Sequence, residues 1–149
     1  MAMDTRYFFV YGSLRPDDDS GQPWTKTAVS GLNAQRARLS RARMYHDYNY
    51  ACIVLDSEEF SSKDCITGYV LSTNDDRLFR EKLQLFDQIE GYRGPNSSHN
   101  YYDRAVVDVE LLDKENPSKV KAYVYHGTHV CKRKNLIPSG DWLQRNRER

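Results

Sequence analysis

The sequence predicts an α+β fold, with about six strands in a curled, largely antiparallel or mixed sheet beside one clear helix. Three observations predict it. Apolar and β-branched runs mostly follow one another without helical crossovers, separated by Gly-, Pro- and acid-rich turns. The clearest helical period recurs at Phe79, Leu83, Phe86 and Glu90, before a terminating Gly91. Two period-2 runs, Tyr101–Leu112 and Lys119–His126, flank a short polar turn and read as a hairpin.

At 149 residues the chain has the length of one domain, able to bury roughly two-thirds of its unfolded surface. We expect a single domain over residues 1–149, with an ordered core at 6–143 and a frayed polar tail at 144–149. Lys and Arg number 22 against 21 Asp and Glu, which argues against a broad nucleic-acid surface. Three cysteines, Cys52, Cys65 and Cys131, include no CxxC pair, and no His stands at zinc-finger spacing. The odd count argues against a disulfide framework and for a reducing compartment. Met1–Arg6 has no apolar signal core, and no run approaches the roughly 20 apolar residues that span a bilayer. The expectation is a soluble cytoplasmic protein with no membrane or nucleic-acid partner. The sequence does not choose between monomer and homodimer.

The run from Tyr7 to Tyr11 is aromatic and β-branched, as a buried strand is, and breaks at Gly12-Ser13 with Pro16 behind. Such a turn is a common strand ending, but it can also aim several backbone N–H groups one way and attract an anion. Pro16–Pro23 is an acidic loop able to flank a site, and Trp24 is placed to anchor it. In Leu32–Met44, four arginines (Arg36, Arg38, Arg41, Arg43) alternate with Ala37, Leu39, Ala42 and Met44, with one slip at Ser40-Arg41. This reads as a strand with a solvated face and a bulge, rather than as an RNA-binding surface. Tyr45–Tyr50 reads as a loop, and Ala51–Leu55 as a short buried strand. After a polar turn, Cys65–Leu71 is another strand, whose Gly68 hints at a bulge or a close backbone approach.

Ser72–Asp76 supplies N-cap candidates for the helix, and Gly91 terminates it. Phe79, Leu83, Phe86 and Glu90 share one stripe, widened by Leu78, Leu85 and Ile89. Arg80, Glu81, Lys82 and Gln84 fall largely on the wet side. In the hairpin, Ala105, Val107, Val109 and Leu111 face inward opposite Val120, Ala122 and Val124. Ile137–Trp142 is a second tight segment with an aromatic anchor.

Glu90 extends an apolar stripe. If desolvated there, a carboxylate rises in pKa and becomes a stronger base, suited to proton transfer. If the helix frays, it turns to water instead. Spacing alone leaves both open.

Four segments, in order, resemble the gamma-glutamyl cyclotransferase-like family, which includes the gamma-glutamylamine cyclotransferases and plant avirulence-induced proteins. They are Phe9-Val10-Tyr11-Gly12-Ser13-Leu14-Arg15, Phe86-Asp87-Gln88-Ile89-Glu90-Gly91-Tyr92, Tyr102-Asp103-Arg104, and Lys121–Tyr125 with Gly140-Asp141-Trp142 beyond. They are similar to the family's Tyr-Gly-Ser/Thr-Leu loop, its Asp-x-x-Glu-Gly segment, its Tyr-x-Arg and its last strand. The chain departs from that pattern in its acidic loop at Pro16–Pro23 and in Ala51-Cys52, where many members carry Pro.

The resemblance implies a compact mixed β-barrel with flanking helices and a site at one mouth. It implies cyclisation of a γ-glutamyl amine or peptide to 5-oxoproline, with Glu90 as general acid/base. Gly12, Ser13 and Leu14 would hold the substrate carboxylate or a developing oxyanion, with Tyr11 and Tyr102 lining the pocket. Tyr102 is a candidate hydrogen-bond partner for the substrate. Arg104 would orient its strand or pair with a carboxylate. The implied partner is a small γ-glutamyl molecule; no cofactor and no metal is called for. The alternative is a non-catalytic γ-glutamyl- or carboxylate-binding module on the same fold.

Overall fold

The computed structural model describes residues 5–18, 23–47, 50–55, 58–113, 118–128, 131 and 133–145. Five strands close into a barrel in the order β1-β5-β2-β6-β7. They are β1 (Tyr7–Val10), β2 (Asn33–Ser40), β5 (Cys65–Ser72), β6 (Tyr102–Leu111) and β7 (Ser118–Gly127). β3 (Ala42–Asp47), β4 (Tyr50–Leu55) and β8 (Leu136–Ile137) form a separate three-stranded sheet in the order β4-β3-β8. The described strands therefore number eight rather than six.

The extra strands come from one corner. The slip at Ser40-Arg41 is where the chain leaves the barrel for the second sheet, not a bulge within one strand. Arg41 takes φ 57°, which turns the backbone sharply. Tyr45–Asp47, expected in a loop, continues β3 and pairs with β4, Asp47 opposite Tyr50. The arginines of this stretch are on the wet side, as expected: Arg38 meets Glu110 at 3.1 Å and Arg43 meets Asp64 at 3.0 Å.

The hairpin β6–β7 pairs antiparallel from Tyr102↔Gly127 to Leu111↔Ser118. β1 pairs antiparallel with β5 and parallel with β7, so the barrel is mixed. Phe9, Tyr11, Val109, Ala122 and Val124 fill the barrel. Phe8, Val10, Tyr123 and Tyr125 point the other way and are covered by Phe79 and Phe86 of helix α2 (Asp76–Glu90). Both faces of β1 and β7 are thus buried, which explains why β1 reads as a continuous apolar run. Gly68 is required by close approach: a Cβ there would lie 2.2 Å from the Val10 carbonyl oxygen.

α2 starts at Asp75, whose side chain accepts from the N–H groups of Arg77 and Leu78. Lys82 is not on the wet side. It is buried and donates to the Thr27 carbonyl at 3.2 Å, at the end of a short helix α1 (Pro23–Ala28). Its ammonium pKa is lowered by desolvation.

The cysteine expectation needs correction. Cys52 and Cys131 form a disulfide that closes a separation of 79 residues and ties β4 to the segment after β7. Gly127 has no room for a side chain, since a Cβ would lie 2.4 Å from Cys52 Sγ. The odd count concealed one pair plus the free Cys65, so it gives no support to a reducing compartment. Among the described residues no helix is long and apolar enough to cross a membrane.

Half of the acidic loop (19–22) and the tail's residues 146–149 lie outside the described residues, as does the side chain of Trp24. The loop's start folds back onto the protein, where Asp17 accepts from buried Arg15 at 2.8 Å and from the Tyr69 hydroxyl at 3.1 Å. Arg15 also reaches Asp141 at 2.7 Å. Gln144, expected in the frayed tail, ends a single 3₁₀ turn begun at Trp142.

Candidate functional site

β1 runs parallel to β7, and β6 antiparallel to it, so the end of β1, the end of β7 and the start of β6 share one end of the barrel. The end of α2 arrives there too. A cavity of about 520 Å³ lies between them. It is lined by Tyr11, Gly12, Ser13, Leu14, Glu90 and Tyr102, every site residue the sequence singled out, together with Ala51, Gln88, Ile89, Tyr101, Tyr125 and Trp142 among others.

The turn after β1 is closed by the Arg15 N–H on the Gly12 carbonyl at 3.0 Å. Among the described residues no acceptor takes the N–H groups of Gly12, Ser13 and Leu14. These three residues line the cavity, and a turn whose amide hydrogens have no protein acceptor is suited to attract an anion. Gly12 is pressed by the second sheet: a Cβ there would stand 3.1 Å from the Ala51 Cβ. A side chain at Gly12 would therefore crowd Ala51, which also lines the cavity.

Glu90 is the last residue of α2. The helix stops one residue later at Gly91, in the left-handed conformation at φ 67°. The Gly91 N–H bonds the Gln88 carbonyl and the Tyr92 N–H bonds the Asp87 carbonyl at 2.9 Å. The Tyr101 N–H in turn bonds the Gly91 carbonyl at 3.0 Å. Held at both ends, the last turn does not fray, and Glu90 keeps its place beside the cavity. It is half-buried by surface area, with part of the side chain open to the cavity. Desolvation of its carboxyl nonetheless raises the pKa to about 7.

Phenols surround it. Burial pushes the Tyr11 and Tyr125 hydroxyls well above their ordinary value, so both stay neutral at physiological pH. The Tyr11 hydroxyl donates to the Tyr125 carbonyl, and the Tyr125 hydroxyl to Asp87 Oδ1 at 2.5 Å. The Tyr102 hydroxyl donates to the Ala51 carbonyl at 2.8 Å, so toward a substrate it can only accept. Arg104 pairs with a carboxylate: its Nη1 meets Asp87 Oδ2 at 2.6 Å.

Sequence reasoning missed several of the lining residues. Tyr125 and Trp142 lie inside segments already recognised as motifs, but nothing in their spacing pointed them at Glu90. Ala51, Gln88 and Tyr101 reach the cavity only through tertiary contacts.

A family model described as gamma-glutamyl cyclotransferase, AIG2-like, matches residues 8–144. No curated protein sequence matches at a significant level. Among solved structures, the chain is similar to a protein of Arabidopsis thaliana solved in solution, at 26% identity and a TM-score of 0.57. That match covers 85% of this chain but 64% of the plant protein, so this chain spans just under two-thirds of its length. A second Arabidopsis thaliana solution structure matches at 21% identity and TM-score 0.53, over 87% of this chain and 72% of the other. The crystal structure of an AIG2-like protein from Mus musculus matches at 20% identity and TM-score 0.54, over 87% of this chain and 82% of that one. The last two likenesses are of fold. The four sequence segments, the closed barrel with its cavity, and a family match over nearly the whole chain agree: this chain belongs to the gamma-glutamyl cyclotransferase, AIG2-like family.

Proposed function

We propose that this chain is an enzyme that cyclises a γ-glutamyl amine or peptide to 5-oxoproline and releases the amine or amino acid. The observation that carries the reading is that Glu90, raised to about 7, and the amide-rich turn Gly12–Leu14 line one cavity.

The chemistry asks little of the protein beyond shape and proton handling. The α-amine and the side-chain amide carbonyl belong to one molecule, so holding it folded makes ring closure unimolecular. The N–H groups of Gly12, Ser13 and Leu14 hold the substrate α-carboxylate, which sets the α-amine beside Glu90. The carboxylate of Glu90 takes a proton from the α-ammonium. The freed nitrogen attacks the carbonyl carbon and forms the new C–N bond. Glu90, now a carboxylic acid, gives its proton to the leaving nitrogen as the old C–N bond breaks; the regenerated carboxylate then takes the extra proton left on the ring nitrogen and passes it to the released amine, which departs as its ammonium. A group near pKa 7 can do both at neutral pH, and such proton transfer is commonly worth about 10²–10⁴ in rate. Tyr11 and Tyr102 form the walls, with Tyr102 able to accept from a substrate N–H.

The test is a mass-spectrometric screen of γ-glutamyl amines and peptides for 5-oxoproline. The wild-type protein should release it from at least one, and Glu90→Gln should abolish release while remaining folded. A γ-glutamyl ligand that binds yet stays intact over hours would overturn the enzymatic reading. Normal turnover by the variant would remove Glu90 as the base.

A further inference from the structure

Asp87 precedes Glu90 by three residues, one helical turn back on α2. Both its oxygens are taken. Oδ1 accepts from the Tyr125 hydroxyl on β7 at 2.5 Å, and Oδ2 from Arg104 Nη1 on β6 at 2.6 Å. The Arg104 guanidinium lies over two rings, 4.6 Å from the centre of Tyr92 just past the helix and 5.0 Å from that of Tyr123 on β7. The last turn of α2 is therefore bolted to two barrel strands immediately before the residue that faces the cavity. Tyr125 does a second job, since its carbonyl accepts from the hydroxyl of Tyr11, the residue before the amide-rich turn. One residue thus touches both halves of the site.

We infer that Asp87, Arg104 and Tyr125 act as a clamp that fixes where Glu90 stands relative to the Gly12–Leu14 turn. They are positioning residues, acting through Glu90 and Tyr11. The kinetic arm of the test rests on the proposed cyclisation; the titration arm does not. The need for such a clamp is physical. Asp87 and Glu90 both sit in the last turn of α2, where the negative end of the helix dipole disfavours carboxylates. Arg104 offsets that from the strand side, and its fork holds direction as well as distance. The other titratable groups facing Glu90 are phenols: Tyr11 from the turn after β1, Tyr101 and Tyr102 at the start of β6, and Tyr125 from β7.

Two substitutions keep the charge count and test the clamp. Tyr125→Phe keeps the ring and removes only the bond to Asp87. Arg104→Lys keeps a cation and removes the fork and the stacking. Each should lower kcat by about 10- to 100-fold with KM unchanged, the usual cost of a misplaced catalytic group. Carboxyl NMR of the same proteins, without substrate, should show the Glu90 titration falling from near 7 toward the ordinary 4.5 as the loosened turn admits water. If both variants melt earlier yet keep the wild-type kcat and Glu90 titration, the network is scaffolding and the inference fails. If the wild type releases no 5-oxoproline, the proposed function fails, and the NMR titration still decides the clamp by itself.

Discussion

The Tyr102 hydroxyl and the Ala51 carbonyl, 2.8 Å apart, join the barrel to the three-stranded sheet across the rim of the cavity. β6 and β4 share no backbone ladder, so this bond helps hold one wall of the site against the other. Tyr102→Phe keeps the ring and deletes the bond, leaving the Ala51 carbonyl without it. The expected loss is about 1 kcal/mol of stability by urea denaturation, with a drop in kcat/KM for 5-oxoproline release. Unchanged stability and activity together would show that the wall stands without it.

Glu90 gives a pH signature with a definite sign. If Glu90 is the base as proposed, its carboxylate is the active form, so kcat/KM should rise with pH through about 7. Stability runs the other way. Between about 4.5 and about 7 the folded protein keeps a proton on Glu90 that the unfolded chain has released. That contribution is fully present below the unfolded value and is lost as pH rises through about 7. Glu90→Gln lacks the decline. Relative to wild type it should gain on the order of 2 kcal/mol between pH 4 and pH 8, read from denaturation midpoints at the two pH values.

Gly68→Ala should unfold the barrel where β1 meets β5. Its Cβ would stand 2.2 Å from the Val10 carbonyl oxygen and about 3 Å from the Phe9 ring, and backbone cannot step aside as a side-chain tip can. We expect a cost of about 3 kcal/mol or more, seen as a lower Tm. A variant as stable as wild type would mean that the two strands can separate there freely.

The Cys52–Cys131 bond should be worth about 2–4 kcal/mol, because it closes a long stretch of chain in the unfolded state. Cys131→Ser should show that loss under non-reducing conditions. Adding a reductant should bring wild type down to the variant's level. A wild-type midpoint indifferent to reductant would mean that the bridge does not form.

The elements most legible in the sequence carry a regular period. α2 could be placed, with its start left open over Ser72–Asp76 and its end at Gly91, because its capping residues and its Phe79-to-Phe86 stripe are local features. The β6–β7 hairpin was legible for the same reason. The second sheet was not, because a corner at Arg41 and a bulge at Arg41 look alike in one dimension. α1 was hidden as well: at six residues it is too short to show a period, and Lys82 helps hold its end from another helix. In the site, Glu90 and the Gly12–Leu14 turn could be named from their motifs. The disulfide and the contribution of Ala51 depend on which loops meet in space, which neither spacing nor count of cysteines records.

The cavity draws on two sources. Its base, its amides and the clamp behind them come from the barrel and α2, whereas Ala51 comes from the outer three-stranded sheet. The two sources can therefore change at different rates. On the proposed function, a larger residue at Ala51 narrows the chamber, and so alters which leaving amine fits, without moving Glu90. If the proposed function holds, change at that outer wall is a route to new substrates that leaves the proton transfer untouched.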